Sequence, residues 1–200
     1  MRISKDLHDG LGASLTRINF LAERVLETAA GEPGENARQL SNSTHEMAGS
    51  LRDLIWASNP ADAGAEGLIT RICQQAEGLL GAAGVRCRFD LPDELPSERL
   101  TDGQRHHLLL AAKEALNNAT RHAHASEVRL HVRSEASFLE LIIEDNGDAF
   151  DSSLAHSGNG LGNMKSRLAS IGGECRIDST PGTGTRVSLR LPLAQTNTRL

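Results

Sequence analysis

The pattern of the chain changes at a short segment, residues 59–64, and this change constrains the fold more than any other feature. Before the segment, apolar residues recur at helical spacing, whereas after it short alternating stretches lie between longer helical ones. The segment itself, Asn-Pro-Ala-Asp-Ala-Gly, has the composition of a linker. The sequence therefore predicts two domains, residues 1–60 and 61–195, and 200 residues are enough to form both.

The first domain is predicted to be an antiparallel helical hairpin. Residues 3–28 carry an apolar stripe at helical spacing, the breakers Gly-Glu-Pro-Gly at 31–34 reverse the chain, and residues 35–57 carry a second stripe. Two such helices leave much of their stripes uncovered, so we expect a homodimer in which two hairpins form a four-helix bundle. The first helical pattern is present from the start of the chain, and we expect the hairpin to be truncated there.

The second domain is predicted to be α+β. Helical and strand patterns follow one another in this order: helix 68–83, strand 85–89, helix 101–122, strands 128–132 and 139–144, helix 162–171, and strands 174–179 and 185–191. This order is typical of an α/β sandwich in which helices cover one face of a mixed, mostly antiparallel sheet. Because aromatic residues make up only 2% of the chain, the core is expected to be aliphatic.

Composition also excludes several classes of function. The net charge is −5 at pH 7 and no basic block is present, so direct nucleic-acid binding is not expected. No run approaches the roughly 18 apolar residues of a membrane span, and no signal peptide is recognisable. We expect this segment to be cytoplasmic, with any membrane contact made through an upstream sensor segment. The three cysteines and the paired histidines lack metal-ligand spacing, which indicates reduced thiols and no histidine metal site.

His8 and Asp9 form the first candidate site. They lie beside the apolar stripe that Leu7, Leu11 and Leu15 form in the first helix. An imidazole next to a carboxylate that can take its proton is a plausible nucleophile near neutral pH. A solvated surface histidine explains the same residues, and by themselves they favour that explanation.

The helix at 101–122 carries a second candidate site. Glu114 and Asn118 are four residues apart and therefore share one helix face, and Arg121 follows about one turn later. The carboxylate and amide oxygens suit a hard divalent cation such as Mg²⁺, and the guanidinium suits phosphate oxygens. The alternative is an ordinary polar helix face.

Three further segments suggest a nucleotide site. Asp145 directly follows an apolar strand, where a partly buried carboxylate needs a donor such as an adenine amino group, and Gly147 allows a flat ring to approach closely. The glycine-rich loop 157–163 opens a helix and offers backbone amides to phosphate. Residues 181–185 form a tight turn into the last strand, for which a plain hairpin is the alternative. Each segment alone is a weak indication.

Taken in order, these segments resemble the sequence boxes of a known family. Residues 2–9 are similar to its phosphoacceptor box and 54–60 to the end of its second dimerisation helix. Its asparagine box and three glycine boxes resemble residues 113–123, 145–147, 158–162 and 182–185. The family is the two-component sensor histidine kinases of the HisKA_3 type, in which a short dimerisation and phosphoacceptor domain precedes an ATP-binding domain of the HATPase_c (GHKL or Bergerat) type.

The resemblance implies an ATP-dependent histidine kinase core. His8 would attack the γ-phosphorus of ATP, and Asp9 would accept or steer its proton. The phosphoryl group would then pass to an aspartate in the receiver domain of a response regulator, which in this subfamily typically carries a helix-turn-helix output domain.

The resemblance also assigns the ATP and Mg²⁺ contacts. Asn118 would bind Mg²⁺, and Glu114 would support that site and the reaction. Thr185 would complete the adenine contact through water. The residues implied to contact the nucleotide are Asn118, Arg121, His122, Asp145, Gly147, Gly158, Gly160, Leu161, Gly162 and Thr185.

The chain departs from the family pattern at two places. Ala13 stands where many members have glutamine, which positions water for dephosphorylating the regulator, so we expect weak phosphatase activity. Asp148 and Ala149 replace the usual arginine and glycine. Because alanine adopts a positive φ less readily than glycine, and because Asp148 adds negative charge, lower nucleotide affinity is expected.

Two alternatives follow from these departures and from the shared ATP-binding superfamily. One is a catalytically inactive dimeric nucleotide-binding module. The other is a different ATPase or a serine kinase of the superfamily, which has no need of His8 and Asp9 on a dimerisation helix.

Overall fold

The computed structural model describes residues 39–40, 43, 49–51, 53–54, 56–58, 64–96, 98–135, 137–149, 159–180 and 182–193. The chain divides into two compact units, Met1–Asn59 and Pro60–Leu200. The described residues of the first unit are helical up to a turn at Ser58. His8, Asp9, Ala13 and Gly158 lie outside the described residues, as does the predicted first helix.

The second unit contains helices and strands in the predicted order. The helices are α1 (Ala65–Ala82), α2 (Asp102–His122) and α3 (Asn159–Ser170). The strands are β1 (Arg86–Asp90), β2 (Glu127–Glu135), β3 (Phe138–Asp145), β4 (Glu174–Thr180) and β5 (Gly184–Pro192). The predicted α+β class is therefore confirmed.

The five strands form one mixed sheet in the order β1-β2-β3-β5-β4. The β2–β3, β3–β5 and β4–β5 pairs are antiparallel, while β1 and β2 are parallel. The parallel pair is possible because α2 connects the two strands and returns the chain to the same end of the sheet. The mixed, mostly antiparallel sheet agrees with the prediction.

The core lies between one face of this sheet and the helices. In β2, Val128, Leu130 and Val132 are buried, whereas Arg129 between them is exposed. This alternation follows from the period of two in a strand, and it directs the aliphatic side chains toward α2, which packs on β3 and β5. Apart from Met164, the buried apolar side chains of the described residues are aliphatic, as expected from the scarcity of aromatic residues.

The start of α2 is fixed by hydrogen bonds that decide where its polar face lies. Thr101 and Gln104 form a reciprocal capping box, with the Gln104 backbone N–H donating to Thr101 Oγ1 over 3.1 Å. Arg105 is 1% exposed. Its guanidinium donates to the Leu100 carbonyl and to Asp102 Oδ1, both at 2.8 Å. The buried charge is thereby satisfied, and the helix that carries Glu114 and Asn118 is anchored.

Helix α3 differs from the prediction at its start. It begins at Asn159, three residues before the predicted start at Gly162. Gly160, Leu161 and Gly162 therefore lie in the first turns of the helix and not in a loop. Low glycine propensity favoured a later start, but a contact described below accounts for Gly160 within the helix. Among the described residues, no helix combines the length and apolarity that a membrane-spanning segment requires.

Candidate functional site

Asp145 is the last residue of β3, and its carboxylate is oriented by two backbone donors. Oδ1 accepts hydrogen bonds from the Gly147 N–H at 3.0 Å and from the Thr185 N–H at 3.3 Å. No described residue donates to Oδ2. The carboxylate is thus held in place through one oxygen, and the second oxygen is available to a ligand donor such as an amino group.

The surroundings of Asp145 raise its pKa. Partial burial favours the neutral acid and is the largest effect, while the hydrogen bonds from Gly147 and Thr185 favour the carboxylate and offset part of it. Since the net shift is upward, the site holds a carboxylate that is more easily protonated than an ordinary aspartate.

This shift predicts an acid-side loss of ATP binding. Only the ionised carboxylate offers two acceptor oxygens, so affinity should fall as pH drops through the raised pKa of Asp145, before an ordinary aspartate protonates. Folding has the opposite sign. An acid with a raised pKa in the folded state favours folding once it is protonated, so this group does not unfold the domain over the same range. Equilibrium binding of ATP from neutral to acid pH measures the effect. An identical pH profile in Asp145→Asn would contradict it.

The loop after β3 is joined to the loop after α2. The Asp148 N–H donates to the Ala123 carbonyl over 2.5 Å. The Asn146 side chain accepts from the Ser126 N–H at 3.0 Å and donates to Ser126 Oγ at 3.0 Å. These bonds hold the end of α2 beside the Asp145 loop, although the bonded residues are at least twenty positions apart in the chain.

Gly147 is required by the same contact between loops. A Cβ atom at this position would lie 1.9 Å from the Ala123 carbonyl oxygen. This backbone atom cannot move away as the end of a side chain can, because the hydrogen bond from Asp148 holds it. Packing alone therefore explains the glycine, and close approach of a ligand ring is not needed to account for it.

The structure brings Glu114 of α2 against Gly160 of α3. A Cβ at Gly160 would lie 2.1 Å from Glu114 Oε1, so the absence of a side chain leaves the room that the carboxylate occupies. A Cβ at Gly162, by contrast, would have no neighbouring atom of the described residues within 4 Å. The predicted asparagine and second glycine boxes therefore meet at one defined contact.

The other predicted residues of α2 and α3 lie within eight positions of Glu114 or Gly160 in the sequence. Asn118 lies one turn after Glu114 and is half-buried, and Leu161 is half-buried as well. Arg121 and His122, at the end of α2, are exposed to solvent and accessible to an anionic ligand. The structure thus brings the predicted residues together in two groups, Glu114 with Gly160 and Asp145 with Gly147 and Thr185.

The two unusual residues after the Asp145 box have different consequences. Among the described non-glycine residues, only His124 has a positive φ, 48°. The backbone strain expected at Ala149 is therefore wrong, since this position does not use the left-handed region. The Asp148 carboxylate lies 3.2 Å from His124 Nδ1, so part of its charge is compensated when that imidazole is protonated.

Ser179 is a site residue that the sequence interpretation missed. Its Oγ lies 3.1 Å from Thr185 Oγ1, directly across the β4–β5 pair. The signal was the hairpin itself, because pairing of Thr180 with Gly184 places position 179 opposite position 185. The contribution of the Ala123 carbonyl had no comparable signal, since loop–loop contacts leave no periodic pattern.

A cleft of about 400 Å³ opens beside Asp145 and Thr185 toward the other face of the sheet. It is lined by opposed charges, including Arg186 and Glu144, which form an ion pair, and it includes neither Glu114 nor Asn118. Paired charges leave little net attraction for an anion. We therefore place no nucleotide in this cleft.

The donors on α2 fit the Mg²⁺ that the sequence predicted. A carboxylate and an amide oxygen one turn apart are hard oxygen donors, and Mg²⁺ uses few protein ligands together with phosphate oxygens and water. Within the described ranges, no group of three or more histidine, cysteine or acidic side chains forms a closed metal cage. Phosphate oxygens of a nucleotide and water would supply the remaining ligands of such a site.

Two family models match the chain. The model described as "Histidine kinase-, DNA gyrase B-, and HSP90-like ATPase" matches residues 103–195, which contain α2, α3 and strands β2 to β5. The model described as "Histidine kinase", of the HisKA_3 type, matches residues 1–63. Together they match residues in both units and leave out residues 64–102, which contain α1 and β1.

Curated relatives align along nearly the whole chain. The sensor histidine kinase LiaS of Bacillus subtilis is 27% identical over 196 residues, covering 96% of this chain and 53% of the relative. The signal transduction histidine-protein kinase/phosphatase UhpB of Salmonella typhimurium is 29% identical over 195 residues, covering 95% of this chain and 38% of the relative. The chain thus spans about half the length of these relatives or less.

A solved structure supports the fold. The blue-light activated histidine kinase EL346 of Erythrobacter litoralis superposes with a TM-score of 0.63 at 18% identity, covering 96% of this chain and 62% of that one. At this identity the similarity concerns the fold alone.

Proposed function

Because the chain belongs to the two-component sensor histidine kinases of the HisKA_3 type, we propose that it is an ATP-dependent protein histidine kinase core. In this proposal, residues 1–60 dimerise and carry the phosphoacceptor His8, while residues 61–195 bind ATP. The observation that carries the proposal is the Asp145 carboxylate, which two backbone N–H groups hold through Oδ1 while no described residue donates to Oδ2. This arrangement suits the amino group of adenine.

The contact between Glu114 and Gly160 supports the phosphate end of the site. Helix α3 begins next to this carboxylate, and a helix N-terminus offers backbone N–H groups and a positive dipole end to phosphate. Arg121 and His122 at the exposed end of α2 can add donors to the phosphate oxygens. Gly160 and Gly162 would shape the segment that covers the phosphates, and Gly158 and Leu161 are assigned to the nucleotide contacts.

The reaction requires positioning and charge neutralisation. A nitrogen of His8 bonds to the γ-phosphorus, the bond from that phosphorus to the bridging oxygen of ADP breaks, and Asp9 takes or steers the imidazole proton. Asn118 and Glu114 would hold Mg²⁺, which when bound neutralises charge on the phosphate oxygens. Arg121 remains beside the leaving diphosphate.

The partners follow from the same proposal. A second copy of the chain would complete a four-helix bundle through the apolar stripes of residues 3–28 and 35–57. The receiver domain of a response regulator would then take the phosphoryl group from His8 onto an aspartate.

The experiment is phosphorylation of the chain with γ-labelled ATP and Mg²⁺. Label that is acid-labile and base-stable, is lost in His8→Ala and is retained in His131→Ala supports the kinase. His131 is a suitable control because it lies on the outer face of β2. ATP binding without any label would favour the inactive module instead.

Ala13 predicts weak phosphatase activity. Without an amide to position the attacking water, this chain should dephosphorylate its regulator slowly, and Ala13→Gln should raise that rate about tenfold. The rate of phosphate release from the phosphorylated regulator, measured without ATP, checks this. Rapid release by the wild type that Ala13→Gln leaves unchanged would disprove it.

A further inference from the structure

Ser179 lies at the end of a row of side chains that crosses the sheet at the site. Asp145, Thr185 and Ser179 stand side by side on β3, β5 and β4, joined by the Thr185 N–H to Asp145 bond and by the 3.1 Å contact between the two hydroxyl oxygens. Two residues further along each strand, the same sheet face is apolar, with Ile143 beside Val187. The apolar core therefore ends at this polar row, at the ends of the strands where the candidate site lies.

The Thr185 hydroxyl lies at the centre of this row and is nearly buried. Thr185 is 9% exposed, and its Oγ1 contacts Ser179 Oγ, while its backbone N–H is used by Asp145. A hydroxyl group has a single proton and two acceptor positions. If Ser179 donates, Thr185 Oγ1 accepts that bond and keeps its own proton for another acceptor. If Thr185 donates, it can offer a ligand only lone pairs.

The neighbouring carboxylate decides which arrangement is useful. Asp145 Oδ2 already supplies an acceptor for the amino group of adenine in the proposed function, on which this inference rests. The adjoining ring nitrogen N1 of adenine is itself an acceptor and needs a donor. We infer that Ser179 is a positioning residue for base recognition, whose hydroxyl donates to Thr185 and so directs the Thr185 proton to N1, either directly or through water.

The test measures dissociation constants for ATP and inosine triphosphate. Hypoxanthine carries a hydrogen on N1 and a carbonyl in place of the amino group, so it cannot use the Thr185 proton at N1. Ser179→Ala should weaken ATP binding about fivefold, the scale of one lost neutral hydrogen bond, and change inosine triphosphate binding less than about twofold. Ser179→Thr, which restores the hydroxyl, should return the preference for ATP.

A matched control is Ser188→Ala. Ser188 is on β5, is 9% exposed and donates to Glu140, but it faces the opposite side of the sheet. It should leave the ratio of the two affinities unchanged. Equal weakening of both nucleotides in Ser179→Ala means that the serine supports only the fold, and unchanged binding of both nucleotides in that variant likewise overturns the inference.

Asp145→Asn separates this inference from the proposed function. If the wild type binds neither nucleotide, or if Asp145→Asn keeps full ATP affinity, the proposed function and the role of Ser179 fail together. If Asp145→Asn removes the preference for ATP while Ser179→Ala keeps it, only the role of Ser179 fails.

Discussion

Replacement of Asp145 by asparagine is expected to weaken ATP binding about a hundredfold. The amide oxygen can still accept from Gly147 and Thr185, so the local structure is kept. At the other position, however, an acceptor oxygen becomes an N–H₂ donor that faces the donor amino group of adenine. Loss of a charge-assisted hydrogen bond, together with a buried donor left unsatisfied, costs about 3 kcal/mol, which corresponds to about two orders of magnitude in affinity.

Isothermal titration of the purified chain with ATP measures this effect, and thermal unfolding shows whether the variant is folded. Asp178→Asn is the matched control, since Asp178 is an exposed sheet aspartate on the opposite face. A folded Asp145→Asn protein that binds ATP as the wild type does would exclude this carboxylate from the nucleotide site.

Replacement of Gly160 by alanine is expected to slow phosphorylation of His8 about a hundredfold without unfolding the protein. The new Cβ takes the position of the Glu114 carboxylate, 2.1 Å from Oε1. Because that carboxylate is the end of a flexible side chain, it can move aside, and alanine is favoured over glycine within a helix by up to about 1 kcal/mol. Displacement of a reacting or metal-supporting group by about 1 Å can reduce a rate a hundredfold.

Gly103→Ala is the matched control for this prediction. Gly103 lies in the first turn of α2, as Gly160 does in α3, and a Cβ there would have no atom within 4 Å. Initial rates of label incorporation at saturating ATP should therefore fall in Gly160→Ala much more than in Gly103→Ala. Equal rates in the two variants would show that the position of Glu114 does not matter for the reaction.

The order and type of the elements in the second unit could be predicted from the sequence because each has a clear period. Alternation in residues 128–132 gives β2, and spacings of three and four in residues 101–122 give α2. Breakers such as Gly-Gly at 172–173 separate the elements. The start of α3 was misplaced because glycine propensity favours a loop, whereas the contact of Gly160 with Glu114 depends on another helix.

The site could be predicted only in part, because some of its residues are determined by contacts with segments that are distant in the sequence. Asp145 and Gly147 stand out because a carboxylate and a glycine directly follow an apolar strand. The reason for Gly147 could not be read from its neighbours, since the atom that requires it, the Ala123 carbonyl, belongs to a loop after another helix. At Ala149 the expected strain was wrong, because only the folded loop determines its φ. The dimeric bundle remains a prediction from uncovered apolar stripes.

Phosphorylation of His8 is tested by locating the phosphoryl group after incubation of the chain with ATP and Mg²⁺. Peptides prepared from the reacted chain at neutral pH, where phosphohistidine survives, can be analysed by mass spectrometry. We predict that the modification lies on His8, depends on ATP and is absent from the Asp145→Asn chain at low ATP concentration. A modification on another residue, or an unmodified chain that nevertheless binds ATP, would show that the chain does not phosphorylate His8.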